Sequence, residues 1–275
     1  MKVSILTDDI VTKRGLKAEH GLSLFIEHDG KKILFDTGQS SVYLRNAAAM
    51  GIDLKSADCI VLSHGHYDHC GGLVHFPATG EYPPIFAHRQ AFRKRYKPNR
   101  HDKEYVDIGV PWTLAGHPGI EKSLVYNRKA LNPFPGVHIL AEIPRTTEFE
   151  DAPKGFFIDK PEGIVPDVFS DEQMLVVETD EGLDVFLGCS HPGVINCLKH
   201  VMKCFPGRSI HALVAGMHLG TAAPSRIEMT IGHMAAMKIQ KIVPLHCTGI
   251  TAICEMKRSL KEHCFVQFTG DVLHI

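Results

Sequence analysis

The sequence has no uninterrupted apolar run of about 18 residues, the least that a membrane-spanning helix needs. Its first residues, MKVSILTDDI, turn acidic before the apolar stretch of a signal peptide can form, so the expected location is the cytoplasm. A charge imbalance is also missing. Thirty lysines and arginines against 31 aspartates and glutamates leave a formal net charge of −1, which gives no global field toward nucleic acid or an anionic membrane. Neither partner is expected. The eight cysteines include no C-x-x-C pair, and a chain of 275 residues can bury its own core, so reduced and mostly buried thiols are expected instead of a disulfide framework. Two further absences narrow the chemistry. There is no Ser-His-Asp nucleophile elbow and no glycine-rich phosphate loop ending in Lys-Ser/Thr, so catalysis has to come from another kind of group.

What the chain has instead is histidine, 18 residues of it. The run SHGHYDHCGG, Ser63 to Gly72, sets His64, His66, Asp68 and His69 within six residues, directly after the apolar DCIVL. In such a run alternate side chains at the end of a strand converge on one ion, and the following turn aims Asp68 and His69 at a neighbouring position. Neutral imidazole suits zinc, iron, manganese or nickel, and a carboxylate keeps the site open to hard oxygen ligands. A polar loop with incidental histidines is the bland alternative, and so dense a set of ligand-type residues argues against it.

The surrounding pattern places the cluster. GLSLFIEHDGKKILFDTG reads as a β-hairpin, with Asp29-Gly30 suited to a type I′ turn. That register sets His28 opposite Lys31 and Leu24 opposite Phe35, and it brings Glu19 and His20 to the same sheet end as Asp36 to Gly38. SVYLRNAAAMGI predicts a helix stopped by Gly51, and ADCIVLS a buried strand running into the histidines. Residues 75–170 carry many prolines and only short apolar runs, too long for a plain loop, so they are expected to form an inserted cap within one domain spanning 1–275. Regular alternation then resumes. A second hairpin is expected around Glu181-Gly182, followed by a helix in VINCLKHVMKCF, a strand in IHALVAGMH, a helix in IEMTIGHMAAMK, a strand in KIVPLH and a helix in TAICEMKRSLKEH. Strand, helix and ligand-rich turn recur on both flanks, which predicts an α/β core with helices outside the sheets.

Four motifs, in this order, resemble the metallo-β-lactamase superfamily across nearly the whole chain: FDTG with Asp36, SHGHYDH with His64, His66, Asp68 and His69, GCSHPG with His191, and PLHCTG with His246. The resemblance implies an αββα sandwich, two mixed β-sheets flanked by helices. It also implies one or two divalent ions per chain, zinc foremost, with iron, manganese or nickel as alternatives. His64, His66 and His191 would hold one ion, Asp68, His69 and His246 a second, and Asp36 would orient ligands. One departure stands out. The family usually supplies a bridging aspartate at the end of the strand before the last histidine, and here that end reads VAGMHLG, with His218 as its ligand-type residue. Metal binding, substrate contact, acid catalysis and plain packing all stay open for His218, and a one-metal or unequally filled centre is an expected alternative to a two-metal one.

AEHGLS, SHGHYDHCGGL, EIPRTTEFE and GMHLG together resemble a narrower branch, that of 7,8-dihydropterin-6-methyl-4-(β-D-ribofuranosyl)aminobenzene 5′-phosphate synthase, which implies a pterin-condensing activity. The expected function is a metal-dependent hydrolase of a small, possibly phosphorylated substrate. An ion lowers the pKa of bound water from about 15.7 toward 7 and so supplies hydroxide. Asp68 would orient or deprotonate the nucleophile, and His218 would stabilise or protonate the leaving group. The first rival is a transferase in which an arylamine attacks a pterin methyl diphosphate. The second is a metal-dependent small-molecule binding or sensing protein. A flavodiiron-type centre is less favoured, because His66 stands where such proteins resemble each other in carrying Glu. Around the cluster, Glu19 and His20 are read as contacts to ligands or substrate, or as caps of the turn, and Arg145 in EIPRTTEFE as an anion contact. The basic stretch AHRQAFRKRYKPNRHDK, with Arg89, Arg93, Lys94, Arg95, Lys97 and Arg100 beside Phe92 and Tyr96, reads as a solvated helix face or as a phosphate clamp. The oligomeric state is left open.

Overall fold

Asp29 and Gly30 take φ values of 47° and 71°, the paired left-handed conformation that a type I′ turn requires. In the computed structural model, which describes residues 1–99 and 104–275, this turn sets Leu24 opposite Phe35 and His28 opposite Lys31, as the sequence predicts. The hairpin lies inside a seven-stranded mixed sheet that runs, edge to edge, Val272–His274, Lys2–Thr7, Ser23–His28, Lys31–Phe35, Cys59–Val61, Ile85–His88 and Leu124–Asn127. A six-stranded sheet runs Lys241–Leu245, Ile210–Gly216, Gly182–Leu187, Met174–Thr179, Val137–Leu140 and Ala130–Phe134.

The two sheets face each other. Leu24, Ile26, Ile33, Phe35 and Val61 from the first pack against Leu175, Val177, Phe186, Val214 and Val243 from the second. Side chains of opposite parity on the first sheet, Phe25, Leu34 and Ile60, point the other way, toward the helix Val42–Ala49. The outer face of the second sheet is covered by the helices Val194–Cys204, Pro224–Ala236 and Ile250–Leu260. Central strands covered on both faces need apolar residues at every position, which is why IVL, VFL and LVA read as continuous runs. The result is the αββα sandwich.

Two expectations need correction. The second hairpin turns on Asp180-Glu181, with Thr179 paired to Gly182, so it sits one residue earlier than the Glu181-Gly182 placement. Gly182 belongs to the strand through its pairing with Thr179, and glycine is required there because a Cβ would lie 2.7 Å from the Ser209 carbonyl oxygen. The span 75–170 is likewise not one cap. Ile85–His88 and Leu124–Asn127 belong to the first sheet, and Ala130–Phe134 and Val137–Leu140 to the second. Only the four-stranded sheet Gly163–Pro166, Phe157–Lys160, Arg95–Pro98 and Tyr105–Asp107 stands apart. Short strands rich in proline and polar residues at the sheet margins do not show the alternation of the central ones, so they read as loose. The basic stretch is not a helix face either: it forms a short turn, Arg89–Phe92, and the strand Arg95–Pro98, while Arg100 lies outside the described residues. Among the described residues, no helix is long and apolar enough to cross a membrane.

Candidate metal centre

Five of the parallel or hairpin strands end at one place. Phe35 leads into Asp36, Val61 into Ser63 and His64, Leu187 into Cys189 and His191, Gly216 into His218, and Leu245 into His246. In α/β sheets the carboxyl ends of strands are where ligands bind. The chain has to turn sharply there, and Asp36, Ser190, His218 and His246 all adopt positive φ, between 49° and 58°. Non-glycine residues held in this region cluster at functional sites. The packing is also close: a Cβ on Gly65 would lie 1.8 Å from the Ala91 carbonyl oxygen, and one on Gly188 would lie 2.2 Å from Ser63 Oγ. Glycine between His64 and His66 is therefore a steric requirement.

The expected first ligand set comes together. The ring centroids of His64 and His66 are 4.6 Å apart, His64 and His191 4.8 Å, and His66 and His191 4.9 Å. Nε2 of His64 and Nδ1 of His66 converge to 3.0 Å. His64 and His191 each have a partner on Nδ1 that orients the ring. His64 Nδ1 meets Ser63 Oγ at 2.9 Å, and that hydroxyl donates to Asp36 Oδ2 at 2.6 Å. His191 Nδ1 donates to Glu172 Oε2 at 2.6 Å, and Glu172 also accepts from the backbone N–H groups of Ser190 and His191. These three donors keep Glu172 an acceptor against the burial that pushes its pKa up.

The second set has the same plan. His69 Nδ1 donates to Asp36 Oδ2 at 2.7 Å, and His246 Nδ1 to Asp9 Oδ1 at 2.7 Å, which leaves the Nε2 atom of each ring facing inward. Asp68 Oδ2 lies 3.4 Å from His246 Nε2 and 3.9 Å from His69 Nε2. The backbone of His246 is held as well, its N–H donating to Asp8 Oδ1 at 2.6 Å. A carboxylate on one imidazole nitrogen fixes the tautomer and presents the other nitrogen to a cation. Nε2 of His66 and of His246 and Nδ1 of His218 are buried without a hydrogen-bond partner, a costly arrangement unless something binds there. The donor set and its orphaned nitrogens thus fit a divalent ion.

The two sets differ in charge. Burial, followed by the neighbouring imidazoles, holds His64 and His191 well below the usual histidine range, and burial lowers His66 to about 3. His246 goes the other way: burial opposes its charge, but Cys247, Asp68 and Asp9 together hold its pKa well above the usual value. Asp68, despite its burial, is held well below the carboxylate range by His69, His246 and His66.

His218 sits beside the first set, its ring centroid 4.8 Å from that of His191, and its backbone N–H donates to Cys247 Sγ at 3.3 Å. His20 reaches the second set, with Nε2 3.3 Å from Asp68 Oδ2 and Nδ1 2.9 Å from Asp9 Oδ2. Glu19 does not: its carboxylate accepts from the backbone of Gln39 and Ser40 and from the Ser40 hydroxyl, capping the turn after Asp36. Arg145 donates one N–H to the Val168 carbonyl oxygen at 3.2 Å and lies within electrostatic reach of Glu172. Of the basic stretch, Arg95 is fully buried and joins Asp167 Oδ2 at 2.9 Å and Asp171 Oδ1 at 2.7 Å. Asp171 in turn accepts from the N–H of Gly65 at 2.8 Å, so this ion-pair network ties the four-stranded sheet to the histidine run.

Several functional residues escaped the sequence reading. Asp9 gives no local signal because it lies 237 residues from His246, and Glu172 none because it lies across a hairpin, 19 residues from His191, outside any ligand-type motif. Cys189 was in view two residues before His191 but was read as an ordinary buried thiol. An aromatic wall was also missed. Phe169 stacks on His191 at 4.2 Å with the rings 4° from parallel, Phe156 lies 5.8 Å from both His66 and His218, and Lys97 Nζ stands 4.9 Å from the Phe156 ring. A surface hollow of about 990 Å³ at the opposite strand ends, lined by Glu27, His28, Glu181 and Arg208 among others, contains none of these groups.

Comparison with known proteins agrees with this geometry. The model of the metallo-beta-lactamase superfamily matches residues 16–191. The 7,8-dihydropterin-6-methyl-4-(beta-D-ribofuranosyl)-aminobenzene-5'-phosphate synthase of Methanocaldococcus jannaschii is 32% identical over 265 residues, 89% of this chain and 86% of its own. An uncharacterised protein of the same organism is 29% identical over 264 residues, 93% of this chain and 94% of its own. A solved metal-dependent hydrolase of the beta-lactamase superfamily superposes with a TM-score of 0.83 at 30% identity, covering 100% of this chain and 99% of that one. With its sandwich of two mixed sheets and its inward-facing imidazoles at one sheet edge, the chain belongs to the metallo-β-lactamase superfamily and is an enzyme of that family, built to bind divalent metal.

Proposed function

We propose that the chain is a hydrolase of a small, phosphorylated substrate, with zinc as the metal. The observation that carries this reading is the inward-facing set of Nε2 atoms, each fixed by a carboxylate or hydroxyl on the far side of its ring. His64, His66 and His191 would hold one ion, and Asp68, His69 and His246 a second. When bound, such an ion supplies Lewis acidity and an acidified water near neutral pH. Asp68, held ionised within 3.4 Å of His246, accepts a hydrogen bond from the attacking group and orients it. His218, whose Nδ1 lacks a partner, donates a proton to the leaving group from the side of His191. Phe156 and Phe169 exclude water on that side, and Lys97 supplies positive charge at the rim for a phosphate. A panel of phosphomonoesters, phosphodiesters, diphosphates and lactones, assayed with zinc-loaded protein, tests this. Turnover of a phosphorylated compound that is lost in His64→Ala supports the reading; turnover that persists in that variant overturns it.

The second reading is condensation of a pterin methyl diphosphate with an arylamine, which would displace diphosphate. It is favoured by the name of the 32% identical relative, and a flat ring would fit against Phe156 beside Lys97. Incubation with both partners separates the two, since a C–N-linked product excludes simple hydrolysis as the whole reaction.

A further inference from the structure

The strand Ile210–Gly216 ends in Met217-His218, so no carboxylate stands where the family resemblance expects one between two ions. The space has another occupant. Cys189 Sγ lies 3.2 Å from His69 Nε2. Its sulfur lies within 4.8 Å of ligand atoms from His64 and His191, within 4.8 Å of those from His69 and His246, and within 4.8 Å of those from His218 and Cys247. Among the described residues, Cys189 is the member common to three of the four clusters of potential ligands. It is therefore the side chain that faces both sets. An ion with a sulfur ligand at about 2.3 Å and a nitrogen ligand at about 2.0 Å in tetrahedral geometry places those two atoms roughly 3.5 Å apart, which the His69–Cys189 pair already approaches. A second, independent observation at the same place is His246, 4% exposed, whose Nε2 makes no hydrogen bond and stands 3.4 Å from the Asp68 carboxylate, a nitrogen and an oxygen donor facing one space.

We propose that Cys189 is a metal-ligating thiolate between the two subsites, taking the place of the missing bridging carboxylate. The inference rests on the metal-dependent reading above and names a ligand that reading leaves out. The balance is simple: the thiol would give its proton to solvent, and the thiolate would ligate metal with the same single negative charge that an aspartate would contribute. A sulfur ligand is softer than a carboxylate, so it biases the centre toward zinc or iron and away from magnesium, calcium and manganese. Cys247, whose sulfur accepts the N–H of His218, is placed to tune this position from behind. Cys70 has no such role, since its sulfur is turned to the carbonyl oxygens of His64 and His66.

The test uses the full-length protein stripped of metal and reloaded with cobalt(II), read by metal content per chain and by the near-ultraviolet thiolate-to-cobalt charge-transfer absorption. The expected result is an intense band in the parent and in Cys254→Ser, retention in Cys247→Ser and loss in Cys189→Ser. Cys189→Asp is expected to bind cobalt without the band. Because Cys189 is buried and a variant there can fail to fold, X-ray absorption of the zinc-loaded parent gives a second measurement, with a sulfur scatterer expected at about 2.3 Å. Cobalt bound with no band and only light scatterers around zinc would overturn the inference while leaving the metal-dependent reading intact. A band that survives in Cys189→Ser and disappears in Cys247→Ser would overturn it in favour of Cys247. A parent that binds no metal would overturn the metal-dependent reading itself, and this inference with it.

Discussion

The two halves of the centre are built on one plan but differ in charge: one holds neutral rings, the other an ion pair. His64, His66 and His191 are neutral rings in a buried setting, with no charged ring to discharge when a cation arrives. Across from them, His246 holds a proton among Asp68, Asp9 and Cys247, an internal ion pair that stands in for a cation. Metal binding requires deprotonated ligands. On the two-ion reading proposed above, the same six-residue run would feed one subsite ready to load and one that must first lose a proton.

The severest way to break this comparison is to delete a ligand. His191→Ala should remove the first ion and lower turnover by more than the ~100-fold that loss of an orienting partner costs, and His246→Ala should do so for the second ion; elemental analysis beside a turnover assay checks both. Orienting carboxylates come next. Glu172→Gln should weaken the first ion and Asp9→Asn the second, each by about 10–100-fold, as measured by competition with a chromophoric chelator. Equal effects of either variant on both ions would erase the distinction.

Acid should then separate the halves without mutation. Because the metal-free protein carries a proton on His246, a cation competes with that proton, and second-subsite affinity falls as pH falls. The first subsite has no ring to protonate until the pH approaches the His66 value of about 3. Lowering the pH from about 8 to about 5 should therefore release the second ion first, and calorimetry should show a proton leaving as that ion binds. The smallest effects are expected at Glu19 and His20. Glu19→Gln should cost about 1–2 kcal/mol in denaturant unfolding with no change in metal content, since its bonds go to Gln39 and Ser40. His20→Ala should leave stability nearly unchanged and weaken the second ion by less than ~10-fold, by removing a partner of Asp9 and Asp68.

Much of this was legible in the chain. The Asp29-Gly30 hairpin, the helix stopped at Gly51 and the strand–helix alternation after residue 170 were readable because local turn chemistry and hydrophobic period decide them. The histidine run and Asp36 were readable because ligand types cluster at strand ends. Glu19 and His20 adjoin in sequence and reach the same sheet end, yet one caps a turn and the other faces Asp68, a choice made by side-chain packing and not by register.

By itself, then, the sequence determined the layered α/β fold and the cluster of His64, His66, Asp68 and His69, since periodicity and short-range spacing are local properties; His191 and His246 were legible only through the family resemblance of their motifs. The tertiary structure alone decided which distant carboxylate serves which histidine: Glu172 for His191, Asp9 for His246. It also decided that Cys189 faces both subsites and that Arg95 is buried beneath the histidine run. Asp9 and His246 meet only when the two sheets close on a shared core, 237 residues apart in the chain, and Glu172 reaches His191 across the ends of the hairpin between them, a side-chain contact that hydrophobic period does not encode.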